Sequence, residues 1–181
     1  MYILRPHVYA GRSMDNFILR ALRGQPSGRG VLARLFLRAR WRVPVLLPAG
    51  DVHIGRFQYV HVDDMARLMA WILTHYRPGA LEVVNVAGQG DPLTIPEALA
   101  LSRVRFWRLR SYRLVQWLYG LAWSVGLSGV PPKVLPYFVG TYLMKTDRLR
   151  ALLGSDYETV IRFSSREALA DSFEDSSELT N

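Results

Sequence analysis

An α/β fold is what this 181-residue sequence predicts, and three observations carry the prediction. Short runs rich in branched and aromatic residues alternate with amphipathic helical stretches. Two of those stretches open on capping boxes, Thr94-Ile95-Pro96-Glu97 and Ser164-Ser165-Arg166-Glu167. Glycine and proline punctuate the chain at short intervals, with no internal repeat and no low-complexity linker. Strands alternating with helices give α/β or α+β layers. Half the residues are hydrophobic and 12% aromatic, enough for a real core and too apolar for disorder.

Taken in order, residues 2–9 read as a short apolar strand that Gly11 ends. Ser13 or Asp15 is placed to cap a helix running to about Arg23, with Gly24 as its stop. Residues 25–30, with Pro26, Gly28 and Gly30, read as a loop. Residues 31–42 form a basic amphipathic helix with Arg34, Arg38 and Arg42 in one row. Val43–Leu47 is a short strand, and Pro44 marks it as an edge. An alternating strand over 57–61 leads into a helix. Val62, Ala66, Met69, Leu73 and Tyr76 recur there at steps of four and three, which predicts one apolar face. Asp63 or Asp64 stands where a carboxylate caps free backbone N–H groups, and Arg77-Pro78-Gly79 closes the helix.

Residues 81–87 are β-rich. The first capping box opens a short helix to about Leu101, and Val104–Leu109 reads as a strand. Residues 112–127 are aromatic and apolar. Thr146 is placed to cap the helix Asp147–Leu153, which Gly154 ends, and the second capping box opens a helix to Phe173. Residues 1–173 therefore read as one partial domain and 174–181 as a polar, frayed tail.

The net charge is +8, and only Lys133 and Lys145 among the 23 basic residues are lysine. The absence of cysteine excludes disulfides, thiolate metal sites and cysteine nucleophiles. No signal peptide is recognisable after Met1, so a cytoplasmic location is expected. The arginines of 29–42 fit the polar face of an amphipathic helix better than a nucleic-acid site, and nucleic acid is not an expected partner.

Three segments occur in a telling order: Arg5-Pro6-His7-Val8-Tyr9-Ala10-Gly11, then Arg56-Phe57-Gln58-Tyr59-Val60-His61-Val62-Asp63-Asp64, then Val83-Val84-Asn85-Val86-Ala87-Gly88. A helix ending in Leu-Gly at Gly154 follows. The set resembles the C-terminal portion of the NAD-dependent epimerase/dehydratase family, the extended and atypical short-chain dehydrogenases, and covers almost the whole chain. The resemblance implies the C-terminal part of a Rossmann-type fold with its smaller substrate-binding region. It also implies that Pro6, His7 and Val8 line the pocket of NAD or NADP, since ligands bind at strand carboxyl ends in such sheets. Arg56 and His61 would be substrate-binding residues, and the parent activity would be oxidoreduction, epimerisation or dehydration of a small-molecule substrate. There, hydride passes between substrate and nicotinamide while a tyrosine moves the proton.

The departures are as informative. Val8 stands where many of the sugar-nucleotide enzymes carry asparagine. The family's phosphate-binding arginine falls at position 55, which is Gly55 here, so Arg56 leaves the opposite face of the strand. No Gly-x-x-Gly-x-x-Gly loop and no Tyr-x-x-x-Lys pair exists; Tyr142 has Lys145 three residues on, not four. In a full-length member both would precede Met1. The sequence is thus expected to lack the dinucleotide-binding half, to be inactive alone and to bind NAD or NADP weakly or not at all. No catalytic residue and no metal ligand is assigned.

Residues 111–132 hold no charge between Arg113 and Lys133 and include Trp117, Tyr119 and Trp123. Their first reading is a helix packed in the substrate-binding region, their second a helix lying on a membrane surface, and their third a membrane span. A peripheral membrane contact and a homodimer stay open as partners.

Overall fold

The computed structural model describes residues 1–49, 55–76, 79, 81–136 and 140–174. In chain order the elements are β1 (Tyr2–Pro6), β2 (Val8–Ala10), α1 (Phe17–Leu22), α2 (Val31–Arg38), β3 (Val45–Pro48), β4 (Arg56–Phe57), β5 (Tyr59–His61) and α3 (Val62–Thr74). Then come β6 (Glu82–Val86), β7 (Leu93–Thr94), α4 (Ile95–Leu101), β8 (Phe106–Leu109), α5 (Tyr112–Ser124), α6 (Asp147–Leu153), α7 (Tyr157–Val160) and α8 (Ser165–Asp171). They divide between two compact units. The first comprises residues 1–14, 57–93 and 142–181; the second comprises 15–56 and 94–141.

In the first unit, β1 runs parallel to β6 with Ile3 opposite Val83 and Pro6 opposite Val86. β2 runs parallel to β5 with Val8 opposite Tyr59 and Ala10 opposite His61. The single strand expected over residues 2–9 is therefore two. The chain changes partner at His7, whose N–H donates to Val86 O at 3.0 Å as the last bond of the first pairing. Strand 57–61 is likewise interrupted at Gln58. That residue leaves the ladder to accept from Met144 N at 2.8 Å through its side chain.

Helix α3 buries Met65, Leu68 and Ile72 against Val60, Val84, Val86, Leu149, Leu153 and Ile161. The face expected to be buried is the wrong one. Met69, Leu73 and Tyr76 are exposed, Leu73 to 80%. Two apolar rows fit a 3.6-residue period on this helix, and the sheet takes the row that carries Asp64 and Met65. The helix is capped by His61, whose ring accepts from Asp63 N, not by either aspartate. Its expected stop falls partly outside the described residues; the last helical residue is Thr74, and the His75 ring stacks on Trp71 at 4.3 Å. Both capping boxes form as expected. Thr146 holds the N-cap position of α6 without a side-chain bond. Helix α8 ends at Asp171, two residues short of the expected Phe173, and the tail beyond Glu174 lies outside the described residues.

In the second unit, β3 runs parallel to β8, with Val45 opposite Phe106. The strand starts after Pro44, and Pro48 closes it where no N–H is needed. Asn16, not Ser13 or Asp15, caps α1 by accepting from Leu19 N at 3.0 Å; the Asp15 carboxylate is occupied by Arg20. Helix α2 stops at Arg38 rather than 42, because the chain turns at Arg40 with φ of 53°. Helix α5 packs through Val115, and the Tyr119 hydroxyl donates to Leu46 O at 3.2 Å. At thirteen residues α5 is about 20 Å long, short of a bilayer's ~30 Å hydrocarbon core. Among the described residues no helix is long and apolar enough to cross a membrane.

Candidate functional site

In the first unit β1 and β6 end together, Pro6 beside Val86, and β2 and β5 end together, Ala10 beside His61. Strand carboxyl ends are where open α/β sheets present loops to ligands. Gly88 N–H donates to Tyr59 O at 2.8 Å and joins the end of β6 to β5. A Cβ on Gly88 would stand 2.6 Å from that carbonyl and 3.0 Å from Phe163 O, so only glycine allows the approach.

Pro6, His7 and Val8 stand where β1 ends and β2 begins, all half-buried. His7 Nδ1 is 2.6 Å from Gln58 O. A carbonyl only accepts, so Nδ1 carries the proton and donates. The ring lies 6.2 Å from Phe57, and Phe57 lies 6.5 Å from Tyr142. The segment thus offers an apolar wall with one imidazole. No backbone loop or basic side chain in it suits a pyrophosphate.

His61 is 3% exposed and is held from both sides. Nδ1 accepts from Asp63 N at 3.1 Å, so Nε2 carries the proton and donates to Asp171 Oδ2 at 3.1 Å. Its ring stacks on Phe163 at 3.9 Å. Asp171 also accepts from Arg12 N at 2.7 Å and from its guanidinium at 3.2 Å. Next to it, Ser172 Oγ accepts from Gly11 N at 2.7 Å. Partial burial opposes ionisation of Asp171, but the bonds from His61 and Arg12 prevail and hold its carboxyl below the usual carboxylate range. The turn after β2, the end of β5 and the end of α8 are thereby clamped together.

Asp64 is fully buried. It pairs with Arg67 and accepts from Arg162 N and Phe163 N, both at 3.1 Å. It fastens the 160–163 loop rather than serving as a catalytic carboxylate. Tyr59 is buried, and desolvation pushes its phenol above the usual tyrosine range, so it keeps its proton and supplies no phenolate base at neutral pH. Arg56 is exposed and belongs to the other unit. Sequence reasoning named His7 and His61 but missed Arg12, Gln58, Phe163, Asp171 and Ser172. One signal pointed to Asp171: an acid in the last turn of a helix opposes the dipole and calls for a specific partner.

No family model and no curated protein matches the chain. Solved structures do. UDP-glucose 4-epimerase from Thermotoga maritima, determined with UDP-glucose, is 15% identical at a TM-score of 0.51, over 99% of this chain and 47% of its own. UDP-glucose 4-epimerase from Bifidobacterium longum, in complex with NAD+ and UDP, is 12% identical at 0.51, over 95% of this chain and 46% of its own. UDP-glucuronic acid 4-epimerase from Bacillus cereus, in complex with UDP-glucuronic acid and NAD, is 14% identical at 0.50, over 98% and 45%. The likeness is one of fold. The chain spans less than half the length of these structures and has the α/β architecture, with small parallel sheets, of part of a Rossmann-like epimerase.

Proposed function

We propose that this chain is the substrate-binding, nicotinamide-facing part of an NAD(P)-dependent epimerase, dehydratase or related oxidoreductase, and that it has no catalytic activity by itself. The observation that carries the reading is the partner change at His7. It places Pro6, His7 and Val8 where the parallel pair β1–β6 ends and the parallel pair β2–β5 begins, with the His7 ring the polar group of an otherwise apolar wall. The fold likeness to part of nucleotide-sugar epimerases supports the same reading.

In this reading Pro6, His7 and Val8 form one wall of the nicotinamide end, and the cofactor supplies hydride chemistry when a complete site holds it. The clamp of His61, Asp171 and Arg12 keeps that wall in register. Arg56 stays a candidate for a phosphate of the substrate. The residues that would hold the pyrophosphate and move the proton are not in this sequence, since it contains neither the glycine-rich loop nor the Tyr-x-x-x-Lys pair.

The test is direct. The purified chain is given NAD+ or NADP+ with UDP-glucose and followed by nicotinamide absorbance and by product analysis. No turnover is expected, and dinucleotide binding is expected to be weak or undetectable by calorimetry. Epimerisation or hydride transfer at enzymatic rates, of order 1 per second or faster, overturns the reading.

A further inference from the structure

The two units differ sharply in charge. Residues 15–56 and 94–141 hold fourteen arginines and lysines against three acids, a formal +11. The other unit holds nine against twelve, a formal −3. No acidic residue occurs in 16–50 or in 98–146.

Within this basic unit, two helix ends are pinned together through backbone. Gly28 N–H donates to Leu127 O and Gly30 N–H to Gly126 O, both at 3.0 Å. A Cβ on Gly28 would stand 2.0 Å from Gly126 O, and one on Gly30 2.9 Å from it, so side chains are excluded at this crossing. The start of α2 is thereby held against the end of α5. Exposed apolar side chains stand on both sides: Val31, Leu32 and Leu35 on α2, and Leu121, Trp123 and Val125 at the end of α5. Val31 is 80% exposed and Trp123 50%. At about 100° per residue, Val31 and Leu35 lie beside Arg34 and Arg38 on α2, so the exposed apolar arc is bordered by guanidinium groups. Ala33 is the buried residue of this eight-residue helix.

We infer that this surface docks on an anionic lipid bilayer, independently of the reading above. An anionic leaflet attracts each nearby arginine by its surface potential, and arginine stems lie along apolar surface while their heads stay at the headgroups. Tryptophan suits the same boundary, apolar in body and polar at its N–H. A nucleic acid would satisfy the charge but not the aliphatic residues, which have no counterpart along a phosphodiester backbone. The bilayer satisfies both.

Co-sedimentation of the full chain with vesicles at physiological salt tests this. Binding is expected to vesicles of equal parts phosphatidylglycerol and phosphatidylcholine, with a blue shift of tryptophan emission. Little binding is expected to phosphatidylcholine alone. Arg34→Ser with Arg38→Ser should weaken partition about 30-fold. Val31→Ser with Leu35→Ser and Trp123→Ser should weaken it about tenfold or more at unchanged charge. All five positions are exposed, so thermal melting should stay as in the parent. Brominated lipid should quench the tryptophans of the unsubstituted chain and reads insertion without any variant. Failure to bind anionic vesicles, equal binding to both vesicle types, or absent bromine quenching overturns the proposal. So does stronger retention on duplex DNA than on vesicles that survives the apolar triple substitution.

Discussion

Asp64→Ala is the substitution expected to damage the first unit most. The Asp64 carboxylate is fully buried and meets three donors: the Arg67 guanidinium and the N–H groups of Arg162 and Phe163. Alanine removes the acceptor and leaves a partly buried cation and two backbone donors without it. Removing one partner of a buried ion pair costs about 3–5 kcal/mol. For a chain of this size each kcal/mol lowers the Tm by roughly 2–4 °C, so a fall of roughly 6–20 °C is expected. Asp64→Asn keeps the shape and one carbonyl acceptor but turns an N–H toward a donor, and should cost about 1–3 kcal/mol. Asp63→Ala, one residue away but with its side chain 63% exposed, should cost less than about 1 kcal/mol. The three variants are compared by urea and thermal unfolding, with circular dichroism and tryptophan emission as separate probes. Equal effects of Asp63→Ala and Asp64→Ala, or a loss below about 1 kcal/mol for Asp64→Ala, would refute the assignment of Asp64 as the fastening of the 160–163 loop.

Three further outcomes are expected. The Tyr157 hydroxyl is buried and has no hydrogen-bond partner among the described residues, so Tyr157→Phe should raise stability by about 1 kcal/mol, read as a higher urea midpoint at unchanged slope. Gly88→Ala drives a methyl group into Tyr59 O and Phe163 O and should cost about 1–3 kcal/mol, with faster hydrogen exchange at Gly88 and Gln89 as the local signature. The Asp171 carboxyl is held below its usual value when folded, so it adds stability above the unfolded value near pH ~4 and loses it as pH falls through the folded one. Asp171→Asn should therefore flatten the decline of stability below pH ~4, and an unchanged acid limb would count against the clamp.

What was legible in the sequence was local. The capping boxes at Thr94 and Ser164 need only four consecutive residues, and both form. The helix Asp147–Leu153 and its Gly154 stop were readable for the same reason. What escaped depends on distant partners. The choice between two apolar rows on α3 is made by the sheet and by the loop 160–163, nearly a hundred residues later. The partner change at His7 is invisible in residues 2–10, because both strands fit one alternating pattern; it is set by which neighbours, 59–61 or 82–86, lie alongside. Asp63 and Asp64 look alike in sequence and differ entirely in burial. The candidate wall at Pro6, His7 and Val8 was named through the family resemblance, whereas the clamp that holds it came from residues 110 or more positions from His61 and Gly11.

The bonds from Gly11 and Arg12 to Ser172 and Asp171 have a topological consequence. They close the first unit on itself across about 160 residues of chain, so residues 15–56 and 94–141 are excursions that leave a stapled ring and return to it. Loop-closure entropy grows only with the logarithm of loop length, about 0.6 kcal/mol per doubling. The closure term alone therefore changes little when either excursion is lengthened or shortened. The arginine-rich, tryptophan-bearing segments lie on the excursions, whereas the strand ends beside His7 belong to the ring itself.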